Sequence, residues 1–102
     1  MGKTNKSIMQ KDETICYLCG RPGGFEPLDK HHVFGGALRR KSEKYGLFVW
    51  LHHDSCHIFG RDSAHQSGET AGFLHRQGQR AAMAEYGWSA EDFRREFYKN
   101  YV

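Results

Sequence analysis

Three cysteines and seven histidines carry most of the chemistry open to this 102-residue chain. Cys16-Tyr17-Leu18-Cys19 is followed by Gly20. Two thiolates at that spacing can grip one ion within a single turn, and the glycine lets backbone amides turn toward the sulfurs. A tetrahedral Zn²⁺ needs two further ligands, and the remaining cysteine, Cys56, lies in Leu51-His52-His53-Asp54-Ser55-Cys56-His57. His53-x-x-Cys56 repeats the knuckle spacing with one ligand exchanged. The spacing therefore predicts a Cys₃His site of Cys16, Cys19, His53 and Cys56, with His52 as the alternative nitrogen. The competing reading is a reduced Cys-x-x-Cys beside a buried free Cys56, but the βαβ setting of a thioredoxin-type motif is missing.

His31-His32, His57 and His65 make a second constellation. Neutral imidazoles bind first-row divalent ions, and an imidazole titrating near neutrality can take a proton from water. Neighbours on a regular strand face opposite ways, so His31 and His32 can serve one site only where the strand ends or bulges. That separates their jobs: one holds a metal while the other acts as base.

The elements that must position these groups are short. Residues 29–34 and 45–51 are rich in aromatic and β-branched side chains and predict two strands. In the second, Leu47, Val49 and Leu51 share one face and Phe48 and Trp50 the other, which predicts cover on both sides. A lone hairpin is marginal in water, so a helix and a metal clip must support it. The connection at residues 35–44 reads as a long loop, and a helix follows over residues 69–86, ended by Gly87. Ser89 and Asp92 form a capping-box pair for a second helix over 89–99, whose Phe93, Phe97 and Tyr101 make a core stripe. Residues 1–14 read as a flexible lead into a single domain over 15–102, with its core in 15–86.

Composition narrows the function classes. The net charge is only +3 and aromatics reach 14%, the reverse of a disordered chain. No apolar run approaches the length of a bilayer span, and the amino terminus lacks the apolar stretch of a secretory signal; a cytoplasmic protein is expected. Three cysteines also fit metal ligation better than a disulfide framework. The positive charge is concentrated: within 30–44, Lys30, Arg39, Arg40, Lys41 and Lys44 face Glu43 alone. Such a run beside histidines points to a polyanion.

Taken in order, Cys-x-x-Cys, a histidine pair on a strand, a Gly-rich basic loop, a second strand and Cys-His leading into a helix resemble the HNH endonucleases. The phrase HHVFGGALRRKSEKYGLFVWL, the histidine pair after it and AEYG toward the end are similar to small HNH-type proteins of phages and prophages. The resemblance spans about Cys16 to Tyr101. It implies an α+β fold with a zinc-clipped ββα-metal core, treble-clef-like, with C-terminal helices. It implies a metal-dependent DNA endonuclease or nickase with His32 as general base and His31 on the metal side. His57 would close the motif as a catalytic-metal ligand, and His65 would be a further ligand or a phosphate contact. Structural Zn²⁺ and a catalytic Mg²⁺, Mn²⁺ or other divalent ion are implied as cofactors. Arg39, Arg40, Lys41 and Lys44 would neutralise DNA phosphates without reading sequence. A homodimer or a phage protein partner would supply any sequence preference.

The family's middle asparagine is absent, since only Asn5 and Asn100 occur. Ser42, Tyr45 or the backbone must then brace the loop. Two other readings stay open: a zinc-stabilised nucleic-acid-binding module without catalysis, and an interaction adaptor of a phage machine.

Overall fold

The computed structural model describes residues 5–102 as a small α+β unit built on one hairpin. Strand β1 (Leu28–His32) pairs antiparallel with β2 (Phe48–His52), in a register running from Leu28 opposite His52 to His32 opposite Phe48. Both strands are shorter than predicted: Val33 still donates to the Leu47 carbonyl at 3.1 Å, but Phe34 turns into the core, and Tyr45 and Gly46 complete a turn.

The connection holds more structure than the loop the sequence suggested. A 3₁₀ turn at Gly36–Leu38 leads into helix α1 (Arg39–Lys44). Its one buried residue, Ser42, accepts the Phe34 N–H at 3.2 Å and donates to the Leu47 carbonyl. Ser42 thus ties both ends of the connection together.

Beyond β2 the chain makes a π-helical turn at His53–Ile58, then helix α2 (Gly68–Tyr86) and helix α3 (Ala90–Phe97). Ser67 caps α2 by accepting the Thr70 N–H, and Gly87, at φ 66°, closes it in the left-handed conformation predicted for that position. Ser89 and Asp92 form the predicted capping box of α3. This helix stops at Phe97 rather than residue 99, because Tyr98 turns left-handed and its N–H bonds the Arg94 carbonyl.

The core gathers Phe34, Leu47, Val49, Leu51, Leu74, Phe93 and Phe97, all essentially inaccessible to solvent. Phe34 is its hub, 4.8 Å from the Phe97 ring, 5.5 Å from Phe93 and 5.4 Å from Tyr101. Gly78 faces that hub in mid-α2, where a Cβ would stand 3.0 Å from the Phe34 ring and 3.1 Å from Val33. Helix propensity is surrendered there to let the strand end approach the helix.

The expected lead over residues 1–14 is hydrogen-bonded to the body in its described part; residues 1–4 lie outside the described residues. Ile8 donates to the Gly46 carbonyl, Ser7 Oγ to the Phe48 carbonyl at 2.6 Å, and the buried Gln10 accepts the Trp50 N–H at 2.9 Å. Glu13 takes the Trp50 indole N–H at 2.7 Å. The segment satisfies backbone groups along the outer side of β2 that would otherwise remain an open strand edge. No helix among the described residues is long and apolar enough to cross a membrane.

Candidate metal centres and cationic rim

The hairpin's alternation decides which side chains meet. Cross-strand partners share a face, so Lys30, His32, Trp50 and His52 lie on one side, and Asp29, His31, Val49 and Leu51 on the other. His53, just past the strand, joins Asp29, to which its Nδ1 donates at 2.5 Å.

On the knuckle side, Cys16, Cys19, His52 and Cys56 bring one ligand atom each within 4.8 Å of one another and could hold a metal ion such as zinc. The expected ligand His53 is therefore corrected to His52, the alternative nitrogen. His52 Nε2 donates to the Pro22 carbonyl at 3.0 Å, which leaves Nδ1 bare, and Nδ1 stands 3.1 Å from Cys19 Sγ. A carbonyl that fixes the tautomer and aims the second nitrogen is the usual outer support of a ligating histidine. Three thiols so close cannot all ionise without a cation. Burial acts to raise Cys19, but hydrogen bonds from the Arg21 backbone and side chain and from Cys16 outweigh it and bring the thiol down to about 6. Cys56 is pushed up to about 12 by burial and by the neighbouring Cys16 and Cys19.

On the other face, His31, His57 and His65 converge, with ring centroids 4.7 to 5.6 Å apart and their ligand atoms within the same 4.8 Å limit. His57 Nε2 and His65 Nε2 are 3.2 Å apart. Two nitrogens at about 2.0–2.1 Å from a tetrahedral ion would be separated by roughly 3.3 Å, so the spacing fits shared coordination. Burial, then the neighbouring His57 and His65, push His31 down to about 3, which keeps it neutral and ready to ligate at neutral pH. The donor set suits first-row transition ions, whereas Mg²⁺ takes oxygen ligands.

Asp29, two residues before His31 on the same face, was not singled out from the sequence. Its Oδ2 accepts His57 Nδ1–H at 2.9 Å as well as His53 Nδ1–H. The first bond fixes the His57 tautomer and leaves Nε2 toward His31 and His65. Burial opposes the Asp29 charge, but the hydrogen bonds from His57 and His53 outweigh it and hold its pKa below the usual carboxylate value. At 2.5 and 2.9 Å the Asp29, His53 and His57 trio is directly hydrogen-bonded, tighter than ligands sharing an ion.

His32, on the knuckle side of the strand, donates Nε2–H to Glu43 Oε1 at 2.7 Å, which leaves Nδ1 as its accepting nitrogen. Glu43, the single acid of the basic run, also accepts from Lys30 Nζ at 3.2 Å. Burial works against its charge, but the bonds from His32 and Lys30 prevail and lower its pKa. Being at the strand end, His31 and His32 both line one cavity of about 420 Å³, together with His57, His65 and Arg39. His75 lines it too, stacked on Phe34 at 5.3 Å between centroids.

The cationic residues divide. Arg39, Arg40 and Lys44 border a second cavity of about 480 Å³ that also touches His32. Lys41 turns away: its Nζ donates to the Glu96 carbonyl at 2.7 Å and lies 4.8 Å over the Tyr98 ring, clasping the end of α3.

Comparison with protein-family models, with curated proteins and with solved structures returns no match.

Proposed function

We propose that the chain is a metal-dependent endonuclease or nickase of HNH type that hydrolyses DNA phosphodiester bonds in the cytoplasm. The observation that carries this reading is the convergence of His31, His57 and His65 in a cavity that His32, backed by Glu43, also lines. The strand, strand, helix order around them fits a ββα-metal core, and the Cys16, Cys19, His52 and Cys56 cluster fits a structural zinc clip.

His31, His57 and His65 would hold the catalytic ion, with Asp29 steadying His57. When bound there, such an ion would supply Lewis-acid stabilisation of the charge that develops on the scissile phosphate. His32 Nδ1 takes a proton from the attacking water, and Glu43 balances the imidazolium that results. The water oxygen forms its bond to phosphorus as the bond to the departing sugar oxygen breaks; that oxygen then gains a proton from solvent. Arg39, on the shared rim, neutralises phosphate charge.

Supercoiled plasmid incubated at low salt with Mn²⁺, Zn²⁺ or Mg²⁺ tests the proposal. Cutting by the wild type, reduced roughly 10²–10⁴-fold in His32→Ala, is expected for loss of a general base. Absence of cutting with every ion, or equal cutting by both proteins, overturns it. A binding module without catalysis would bind one equivalent of metal, at the cysteines, where the nuclease binds a second at the histidines.

A further inference from the structure

The two cavities share a wall. His32 and Arg39 line both; beyond them, one holds the imidazole cluster and the other holds Arg40, Lys44 and Glu43. Among the described residues, Arg39, Arg40 and Lys44 enter no ion pair with a carboxylate. The acid closest to them in sequence, Glu43, already serves Lys30 and His32. The second cavity is lined by Asn5, His32, Arg39, Arg40, Glu43 and Lys44. The charge of its one carboxylate is taken up by Lys30 and His32, and Lys44 Nζ also lies 5.1 Å over the Tyr45 ring. The three cations on its border are left without a carboxylate partner, next to the site where hydrolysis is proposed.

We infer that the second cavity is a phosphate subsite for the nucleotide next to the scissile bond, with Arg40 and Lys44 as its ligands. Arg39 stands at the boundary between the two phosphates, and Lys41 takes no part. The inference rests on the nuclease reading for its substrate, but it makes a narrower claim: the basic run is not one diffuse patch. A strand lying with one phosphate at the histidines would pass over the His32 and Arg39 wall and set its neighbour against Arg40 and Lys44. Lys41, sequence neighbour of Arg40, is withdrawn because it holds α3 to the hairpin connection. An exposed basic loop would let all four cations contribute alike; a built subsite does not.

The test is the salt dependence of binding of a fluorescent duplex DNA oligonucleotide by the metal-loaded, full-length protein. Each phosphate contact contributes about 0.9 to the slope of log affinity against log salt. The Arg40→Ala, Lys44→Ala double variant should lower that slope by roughly 2, and Arg39→Ala by roughly 1. Lys41→Gln keeps a donor for the Glu96 carbonyl while removing the charge, and should leave the slope unchanged. An unchanged slope in the double variant overturns the subsite, as does a drop in Lys41→Gln equal to that of Arg40→Ala alone. Thermal melts of each variant verify that the fold is retained, and Arg40→Gln with Lys44→Gln replaces the alanine pair if it is not. Hydrolysis of bis(p-nitrophenyl) phosphate, which offers a single phosphate, is measured alongside in the wild type. Its absence, with no plasmid cutting, would sink the nuclease reading, while the salt slopes still decide the subsite.

Discussion

The two histidine-bearing clusters sit on opposite faces of one short hairpin and differ in almost every physical respect. The cysteine cluster has Cys16 fully buried and Cys56 nearly so, both within the continuous hydrophobic core, while Cys19 stands exposed at its edge. It joins the knuckle to the end of β2, so an ion there would link segments far apart in the chain. The imidazole cluster lines an open cavity, with His65 exposed and an unpaired cation, Arg39, on its rim. Soft donors anchored in the core suit an ion that holds architecture, whereas neutral donors lining an open cavity suit an ion that meets a substrate. The contrast teaches that burial and donor type, more than the number of ligands, separate the two roles.

That contrast can be broken most forcefully at the cysteines. Cys16→Ala, or treatment with a strong chelator, should abolish cooperative thermal unfolding, because apparent zinc affinity in sites of this kind is of the order of 10 kcal/mol and becomes folding free energy. An unaltered melt by circular dichroism would remove the structural role. Acid should act in the same direction, since protons compete with the ion for thiolate and imidazole.

At the imidazole face the expected effect falls on chemistry instead. His57→Ala should lose the second metal equivalent, read by calorimetric titration of zinc-loaded protein, while its melting temperature stays within a few degrees. Asp29→Asn should retain the site but weaken it about 10- to 100-fold, the usual effect of removing an outer partner of a ligating histidine. If Asp29→Asn binds the ion as tightly as wild type, the orienting bond to His57 has no consequence.

The smallest effects lie remote from both clusters. Ser89→Ala should cost about 1 kcal/mol by opening the α3 cap, a fall of roughly 4–8 °C in melting temperature for a domain of this size. Asp92 is held below its ordinary value of 3.8 by hydrogen bonds from the Ser89 backbone and side chain. A depressed folded-state value means that its contribution is present above about pH 4 and fades as pH falls through the folded value. The stability difference between wild type and Asp92→Asn, measured in urea at pH 7 and pH 3, should therefore shrink at the lower pH.

Much of this molecule could be read from local pattern. The knuckle, the core stripe of α3, the Ser89 cap and the Gly87 stop depend on neighbours within a few residues, where spacing and side-chain type decide the outcome. The amino-terminal segment could not be read this way, because Ser7, Gln10 and Glu13 acquire their purpose only when β2 offers them an edge. The connection between the strands was likewise legible in charge but not in shape.

By itself, then, the sequence determined that two metal-capable sets of side chains exist and that a basic run accompanies them. Tertiary structure decided membership. Whether His52 or His53 meets the cysteines depends on strand parity, and parity depends on where β2 ends and which residue of β1 lies opposite. The same register brought Asp29 beneath His57 and Glu43 against His32, and the docking of α3 withdrew Lys41 from the cationic rim. These are contacts between segments 11 to 55 positions apart. No local spacing encodes them, because they form only when the hairpin closes and the helices pack upon it.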